Sequence, residues 1–537
     1  MTSTRHLRIG LWLDEPRASR YAHAFVAWAR SQPNVNVVGL AIAHPPGRTQ
    51  PQRTVSTVLL AILSALETAL LSRNPRYRNH LKTFALHELG CETVTLSGDA
   101  SDVAMVQALN LDLVACLGTE LPPESITSAA RLGTLAFEWA DVANAESGPV
   151  GFWEVFERED TTGFAIRHID ADAASQSILL RGHLPTRHYY LLNQAALYEK
   201  AHYHLRRVLA GLETSGKLPS PGPSTPTARR PSTCPSPWQA LAYLGRSLAA
   251  IIRKRRARLG SREERWQVSF LRTDWRLADL QQGRGIANPP GRYLADPFVI
   301  RRDGNDYCFV EDFNCESSRG AISVYQLGDE RAMPLGVVIE EPFHLSFPYL
   351  FEHNGGLFMC PESSENRDIR IYRCIDFPLE WRLEKIVMSG LSAADTMLFE
   401  RHGKWWLFTN IDPAETGEIC SELYIFSSNS PFAENWRSHA QNPVLFDAAC
   451  ARNGGLLVDG DDLFRVSQRQ GFDRYGKGSQ INQVMALTDE VYEERCIARI
   501  DPVFKKGLLG THHLHSSGGI TVFDTLSETT GRASATV

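Results

Sequence analysis

One stretch recurs along the second half of the chain and limits what that half can become. It reads A-D-P-F-V-I-R-R-D-G-N-D-Y-C-F-V-E-D over Ala295–Asp312 and returns as S-F-P-Y-L-F-E-H-N-G-G-L-F-M-C-P-E over Ser346–Glu362. A third copy is A-A-D-T-M-L-F-E-R-H-G-K-W-W-L-F-T-N over Ala393–Asn410, and a fourth, more worn, is A-R-N-G-G-L-L-V-D-G-D-D-L-F-R-V-S-Q over Ala451–Gln468. Each is a short apolar strand, a polar turn and a second apolar strand. A period of about 50 residues with hairpin content specifies a propeller, because one such blade cannot bury its own faces. Third strands are read at Ile322–Leu327, Ile369–Cys374, Leu423–Phe426 and Gln483–Leu487. An abbreviated fifth unit starts at G-T-H-H-L-H (Gly510–His515) and is completed by W-Q-V-S-F-L-R (Trp266–Arg272), so five blades are predicted.

In a propeller the innermost strand of every blade lines the central channel. Aligning the copies puts Asp296, Phe347, Asp395 and Arg452 in one column, and Glu311, Glu362, Asn410 and Ser467 in another fifteen residues on. With His512 or His513 from the fifth unit, these make a polar, charged funnel. The expected catalytic residues are Asp296, Glu362 and Asp395; the expected sugar-binding residues are Glu311, Asn410, Arg452, His512 and His513. Two facing carboxylates suit general acid and base work on a glycosidic bond. The alternative is that the inner-strand acids pin the blades together through backbone amides and Arg452. Asp303-Gly304, Asn354-Gly355 and His402-Gly403 need only hairpin geometry. The D-x-D at Asp459–Asp461 also falls in a turn.

The chain has 537 residues, too many for one core, and two or three domains are expected. A net charge of -5 argues against a dedicated nucleic-acid binder. Ten cysteines are scattered without a C-x-x-C pair, and the start M-T-S-T-R-H is not that of a secretory leader. A cytoplasmic protein without a zinc or other metal site is therefore expected. No motif specifies a cofactor.

The first part alternates strands and helices. Strands are read at Leu7–Leu13, Val35–Ile42, Glu92–Leu96 and Leu113–Leu117, and helices at Arg20–Arg30, Ser101–Ala108 and Pro123–Arg131. That order predicts an α/β domain with a parallel, doubly wound sheet. Val55–Leu71 is read as a buried or partly buried helix, since polar residues interrupt it. The predicted domains are 1–210, a Pro/Ser-rich linker at 211–237, a basic amphipathic helix at 238–262, the propeller at 263–527 and a disordered tail at 528–537. In Trp238–Arg258, apolar residues at helical spacing run into Arg253-Lys254-Arg255-Arg256, a composition suited to peripheral contact with an anionic membrane.

Within 1–210, D-L-V-A-C-L-G-T-E-L-P-P-E-S-I (Asp112–Ile126), G-T-L-A-F-E (Gly133–Glu138), G-P-V-G-F-W-E-V-F (Gly148–Phe156) and T-T-G-F-A-I-R-H-I-D (Thr161–Asp170) resemble, in this order, formyltransferases that use formyl-tetrahydrofolate. The resemblance implies an Asn and a His that polarise the formyl carbonyl and an Asp that sets the protonation of the His. The corresponding positions here are Ala136, Glu138 and Ala174. One such donor is worth roughly 3 kcal/mol in the transition state, so this reading implies a degenerate site.

The A-D-P-F start resembles the first blade of arabinanase-type glycosidases, in which such an Asp is the base. His344–Glu352, Pro361–Arg367, Ser392–Asn410 and Gly507–Leu514 resemble the amino-terminal propeller region of glucosamine inositolphosphorylceramide transferases, over about residues 266–525. This implies glycan or glycolipid assembly with a sugar or glycolipid as partner, while glycosyl transfer belongs to a separate domain in that family. The combined expectation is a bacterial glycoconjugate-biosynthesis protein whose propeller binds, and acts on, a sugar. A non-catalytic glycan-recognition scaffold and a sugar-amine N-formyltransferase stand as alternatives.

Overall fold

The computed structural model describes residues 6–13, 17–42, 54–99, 101–118, 120–139, 148–172, 175–220, 234–259 and 262–530. The chain divides into two compact units, Met1–Ile251 and Ile252–Val537.

Seven strands form the sheet of the first unit, in the order Glu92–Leu96, Val35–Ile42, Leu7–Leu13, Leu113–Cys116, Thr134–Trp139, Thr161–Ile169, Gln176–Pro185. The first five are parallel. The central strands Leu7–Leu13 and Leu113–Cys116 read as near-continuous apolar runs because strands covered on both faces need no alternation. The last two pair antiparallel. They make the sheet mixed, beyond the parallel part expected from the sequence. A few residues join Ile169 to Gln176, and a connection that short returns as a hairpin, whereas a parallel crossover needs a dozen residues or more. At Gly133 (φ 73°) a Cβ would lie 2.1 Å from the Ile169 carbonyl oxygen, so only glycine passes beneath the hairpin.

The helix Tyr190–Ser215 runs on into the stretch read as linker, and the next helix, Pro237–Leu259, begins with its proline, where the missing N–H costs nothing. Residues 221–233 of the predicted linker lie outside the described residues. Helix Pro237–Leu259 docks through Tyr243, whose hydroxyl accepts from Tyr190 N (2.8 Å) and donates to the buried carboxylate of Glu67. Glu67 belongs to helix Val55–Leu71, which buries only Leu63, Glu67 and Leu71. Among the described residues, no helix is long and apolar enough to cross a membrane.

The second unit is five antiparallel sheets. Blade one is Arg292–Arg302, Asn305–Asn314, Arg319–Leu327 and Ala332–Ile339; blade two is Ser346–His353, Gly356–Ser363, Asp368–Asp376 and Glu380–Ser389. Blade three is Ala393–Arg401, Lys404–Ile411 and Glu422–Ser428, with an outer edge split into Arg437–Ser438 and Leu445–Phe446. Blade four is Asn453–Asp459, Asp462–Gly471, Arg474–Leu487 and Tyr492–Ile500. Blade five takes Leu514–Ser517 and Ile520–Thr530 from the end of the unit, and Arg262–Leu271 and Arg284–Gly285 from its beginning. Arg262–Leu271 pairs with Ile520–Thr530 from Arg262↔Thr530 to Leu271↔Thr521. Each inner strand touches the next, and Leu514–Ser517 touches those of blades four and one, so the ring is closed. This is a five-bladed β-propeller, whose radial repetition leaves only short, protected strand edges.

The hairpin tips follow their chemistry. Asp303-Gly304, Asn354-Gly355 and His402-Gly403 all have positive φ at both residues, the backbone of a tight turn whose twist matches the strands it joins. Between blades, large apolar side chains interlock; Phe298, Phe347, Met397 and Trp406 are among those buried in one shared core.

Candidate functional site

The inner strands share a defect near their first residues, and it positions the site. Register slips between Ala295 and Phe298, between Ser346 and Tyr349, and between Ala394 and Met397. Inside each bulge one residue takes a left-handed backbone: Asp296 (φ 48°), Phe347 (φ 47°) and Asp395 (φ 48°). Such bulges re-aim a side chain, and positive φ in a non-glycine residue is strain that the surrounding structure must hold. Blade four slips between Asn453 and Gly455, so its bulge residue is Gly454. A Cβ on Gly454 would lie 2.5 Å from the His512 carbonyl oxygen. Arg452 is therefore not the register equivalent of Asp296, and it enters from two residues upstream.

The predicted residues separate into three groups. In the first, Arg452 is buried between two acids: Nε lies 2.6 Å from Asp395 Oδ2, and Nη2 lies 3.2 Å from both Asp395 Oδ1 and Glu362 Oε2. Gln468 donates to Asp395 Oδ2 (2.9 Å) and Ser364 to Glu362 Oε1 (2.7 Å). Burial, with Glu362 and Asp296 nearby, pushes the Asp395 carboxyl well above its ordinary range despite Arg452. Burial opposes ionisation of Glu362 too, but Arg452 and the hydrogen bonds from Asp395 and Ser364 hold it below its ordinary range. The two acids thus face one guanidinium, with both Glu362 oxygens engaged.

The second group is at the blade-five seam. Asp524 accepts from the backbone N–H groups of Asp296, His512 and His513, and pairs with His512 Nδ1 at 2.8 Å. His512 Nε2 points to Asp296 Oδ1 at 3.3 Å. Burial and the neighbouring acids Asp524 and Glu362 push Asp296 up to about 6, against the pull of His512. Asp296 Oδ1 is buried without a hydrogen-bond partner among the described residues. Asp296, His512 and Asp524 bring their ligand-type atoms within 4.8 Å of one another, a spacing that could hold a cation. Asp524, however, already spends its oxygens on protein donors. Glu311 lies across the bulge beside His344, with 3.6 Å between His344 Nε2 and Glu311 Oε1. Burial and four neighbouring acids, Asp296 foremost, push Glu311 well up.

The third group is structural. Asn410 donates to the carbonyls of Glu422 and Ala451 (both 2.9 Å) and accepts from Asn453 N (2.9 Å), tying blade three to blade four. It is fully buried and has no group left for a ligand. We expect Asn410→Ala to cost roughly 2–3 kcal/mol in urea unfolding, since it orphans buried backbone groups, while any ligand affinity of the propeller stays unchanged. His513 is fully buried between Phe298 and Phe347, with ring centroids 4.6 and 5.2 Å away. Burial drives its pKa to about 3, so it is a neutral core residue.

Several site residues carried no periodic signal. Tyr475, at the hairpin tip of blade four, is 43% exposed, with Arg452 5.7 Å below its ring. Trp266 covers His512 at 4.0 Å, and Tyr475 approaches the same imidazole at 5.3 Å. On the Glu311 side, half-buried Tyr293 stacks on Phe313 at 4.7 Å, with His344 5.9 Å beyond. Asp524 was legible: the hairpin H-L-H-S-S-G-G-I-T-V-F-D repeats the strand-turn-strand pattern of the other copies.

In the first unit, the three positions of the implied formyltransferase triad do not form a polarising site. Ala136 is buried, Glu138 is buried in an ion pair with Arg167 (2.6 Å), and Ala174 lies outside the described residues. His168 Nε2 donates to the Leu132 carbonyl (2.6 Å), a structural contact.

Residues 283–507 match the family model described as glucosamine inositolphosphorylceramide transferase 1, N-terminal. The match takes in blades one to four and, of blade five, only the short strand Arg284–Gly285. Glucosamine inositolphosphorylceramide transferase 1 of Arabidopsis thaliana is 34% identical over 211 residues, covering 38% of this chain and 27% of that protein. Its counterpart in Oryza sativa subsp. japonica is 33% identical over 210 residues, covering 38% and 28%. The chain thus spans little more than a quarter of the length of these plant relatives, and they lend no support to a bacterial setting. Among solved structures, a thermostable family-43 glycoside hydrolase aligns with a TM-score of 0.30 at 13% identity, covering 39% of this chain and 76% of that one. A family 117 glycoside hydrolase of the marine bacterium Zobellia galactanivorans aligns with a TM-score of 0.33 at 10% identity, covering 49% and 90%.

Proposed function

We propose that the propeller is a carbohydrate-recognition module of a protein that takes part in glycolipid or glycan assembly. The observation that carries this reading is the Asp296 carboxyl: buried, strained at φ 48° and holding an oxygen, Oδ1, that faces His512 at 3.3 Å but has no hydrogen-bond partner among the described residues. Strain and an unmet hydrogen bond persist where function requires them. A sugar hydroxyl would satisfy that oxygen, and the rings of Trp266, Tyr475 and Tyr293 around the acids offer flat apolar faces for a pyranose. The match of residues 283–507 to the amino-terminal region of glycolipid-directed transferases supports the same class of ligand.

Recognition is favoured over bond cleavage by the state of Glu362. Arg452 and Ser364 engage both its oxygens, so Glu362 is not a free second partner for Asp296 in a hydrolytic pair. For the first unit, the formyltransferase-like reading is retained as a proposal about ancestry of the fold. It is supported by motif order and by Glu138 spending its charge on Arg167.

The test is calorimetric titration of the full chain with neutral hexoses, amino sugars, inositol phosphate and nucleotide sugars. One class is expected to bind, with affinity falling about tenfold or more in Glu311→Gln, the loss of one hydrogen bond to a charged or buried group. Binding that survives both Glu311→Gln and Asp296→Asn would show the acids to be structural. Release of a shortened saccharide would instead establish cleavage.

A further inference from the structure

Two helices of the chain are built inside out. In Val55–Leu71 the inward side carries Glu67, whereas every exposed position from Val55 to Leu70 is Val, Ala, Ile or Leu. Val55, Val58, Ile62, Leu66 and Leu70 are between 40% and 66% exposed and follow one another at helical spacing along one stripe. A surface helix ordinarily shows the reverse, with its polar face outward. Helix Pro237–Leu259 repeats the inversion: Trp238 is 80% exposed, Leu241 46% and Leu248 58%, while Tyr243 on the opposite side is buried. Arg246 is the one charged residue of that helix up to Ile252; it is exposed, with its Nη1 donating to the Phe156 carbonyl at 2.8 Å. The Tyr243–Glu67 hydrogen bond joins the two helices.

Contiguous exposed apolar surface marks an interaction site, and the charge around it identifies the partner. Helix Val55–Leu71 leads into Ser72–Lys82, which carries Arg73, Arg76, Arg78 and Lys82 and has no acid before Glu88. Arg73 and Arg78 are exposed. The second helix continues in sequence as Arg253-Lys254-Arg255-Arg256-Ala257-Arg258. An apolar stripe that runs into a cationic end, twice over, matches a surface that is greasy below and anionic above. A protein partner would require complementary acids at both ends. We propose that these two helices form a membrane-docking surface that seats on anionic lipid headgroups, with the Val55–Leu70 and Trp238–Leu248 stripes dipping into the acyl boundary. This does not depend on the sugar reading.

The test is co-sedimentation of the full chain with vesicles of phosphatidylcholine alone or mixed with phosphatidylserine. Binding is expected only to the anionic vesicles, and to weaken as salt rises from about 0.1 M to about 1 M, where the screening length falls from about 10 Å to about 3 Å. Two variants, Ile62→Gln with Leu66→Gln and Trp238→Gln with Leu248→Gln, alter exposed positions on separate helices. Each is expected to reduce binding about tenfold or more with an unchanged melting temperature. Equal binding to both vesicle types, or binding that persists in both variants, overturns the proposal. So does a dimer in solution that either variant dissociates, which would make a second copy the occupant.

Discussion

Replacing Arg452 with methionine is expected to lower the unfolding free energy of the propeller by roughly 3–5 kcal/mol, because it strands buried charge. Arg452 and Asp395 are 6% and 1% exposed and Glu362 is 9% exposed. With the guanidinium gone, the buried carboxyls of Asp395 and Glu362 lose the cation they both contact and have little water to replace it. Urea unfolding monitored by tryptophan fluorescence measures the loss. The decisive comparison is the double variant Arg452→Met with Glu362→Gln. Removing the second partner should recover a large part of the deficit, since a neutral amide replaces the charge left behind. If the double variant is as unstable as the single one, methionine is failing to pack and the electrostatic account is wrong.

Asp296→Asn should do the opposite to stability while removing function. The carboxyl is raised from 3.8 to about 6 in the folded protein, so folding favours its protonated form. The stability that this protonation contributes is fully present below the unfolded-state pKa and is lost as pH rises through about 6. The neutral asparagine carries no such loss. The variant should therefore melt higher than the parent at pH 8 and converge with it near pH 4, the upper limit of the gain being about 3 kcal/mol at 1.36 kcal/mol per pKa unit. Sugar binding should fall in the same variant. Greater stability with less function is the mark of a group kept for its task at the expense of the fold. A variant less stable than the parent at pH 8 would show that Asp296 is a structural pin held by His512.

Most of the propeller was legible because its signals are local. Alternation, aspartate-glycine and asparagine-glycine turns and a fixed spacing fix strands and hairpins one blade at a time, and even the contribution of Trp266–Arg272 to blade five can be read from them. The parallel part of the first sheet was legible for the same reason. Its antiparallel end was less so, since strand direction depends on the length of the connection. The site was legible only in part. Asp296 and Asp395 stood out by column, but column membership did not separate a residue facing the axis from one consumed in joining blades. Asn410 and His513 look like Glu311 and His512 in sequence, and burial with hydrogen bonding divides them.

By itself, then, the sequence determined a repeated four-strand unit, its turns and a surplus of acids on the inner strands. Tertiary structure decided which of those acids meet. Arg452 reaches Asp395 across 57 residues, and Asp524 caps the Asp296 backbone across 228. These distances close only when the last strands pair with Arg262–Leu271 and the ring is complete. The pKa shifts that distinguish Asp296 from Glu362 arise at that closure, because burial and neighbouring charge are properties of the assembled axis and of no single blade.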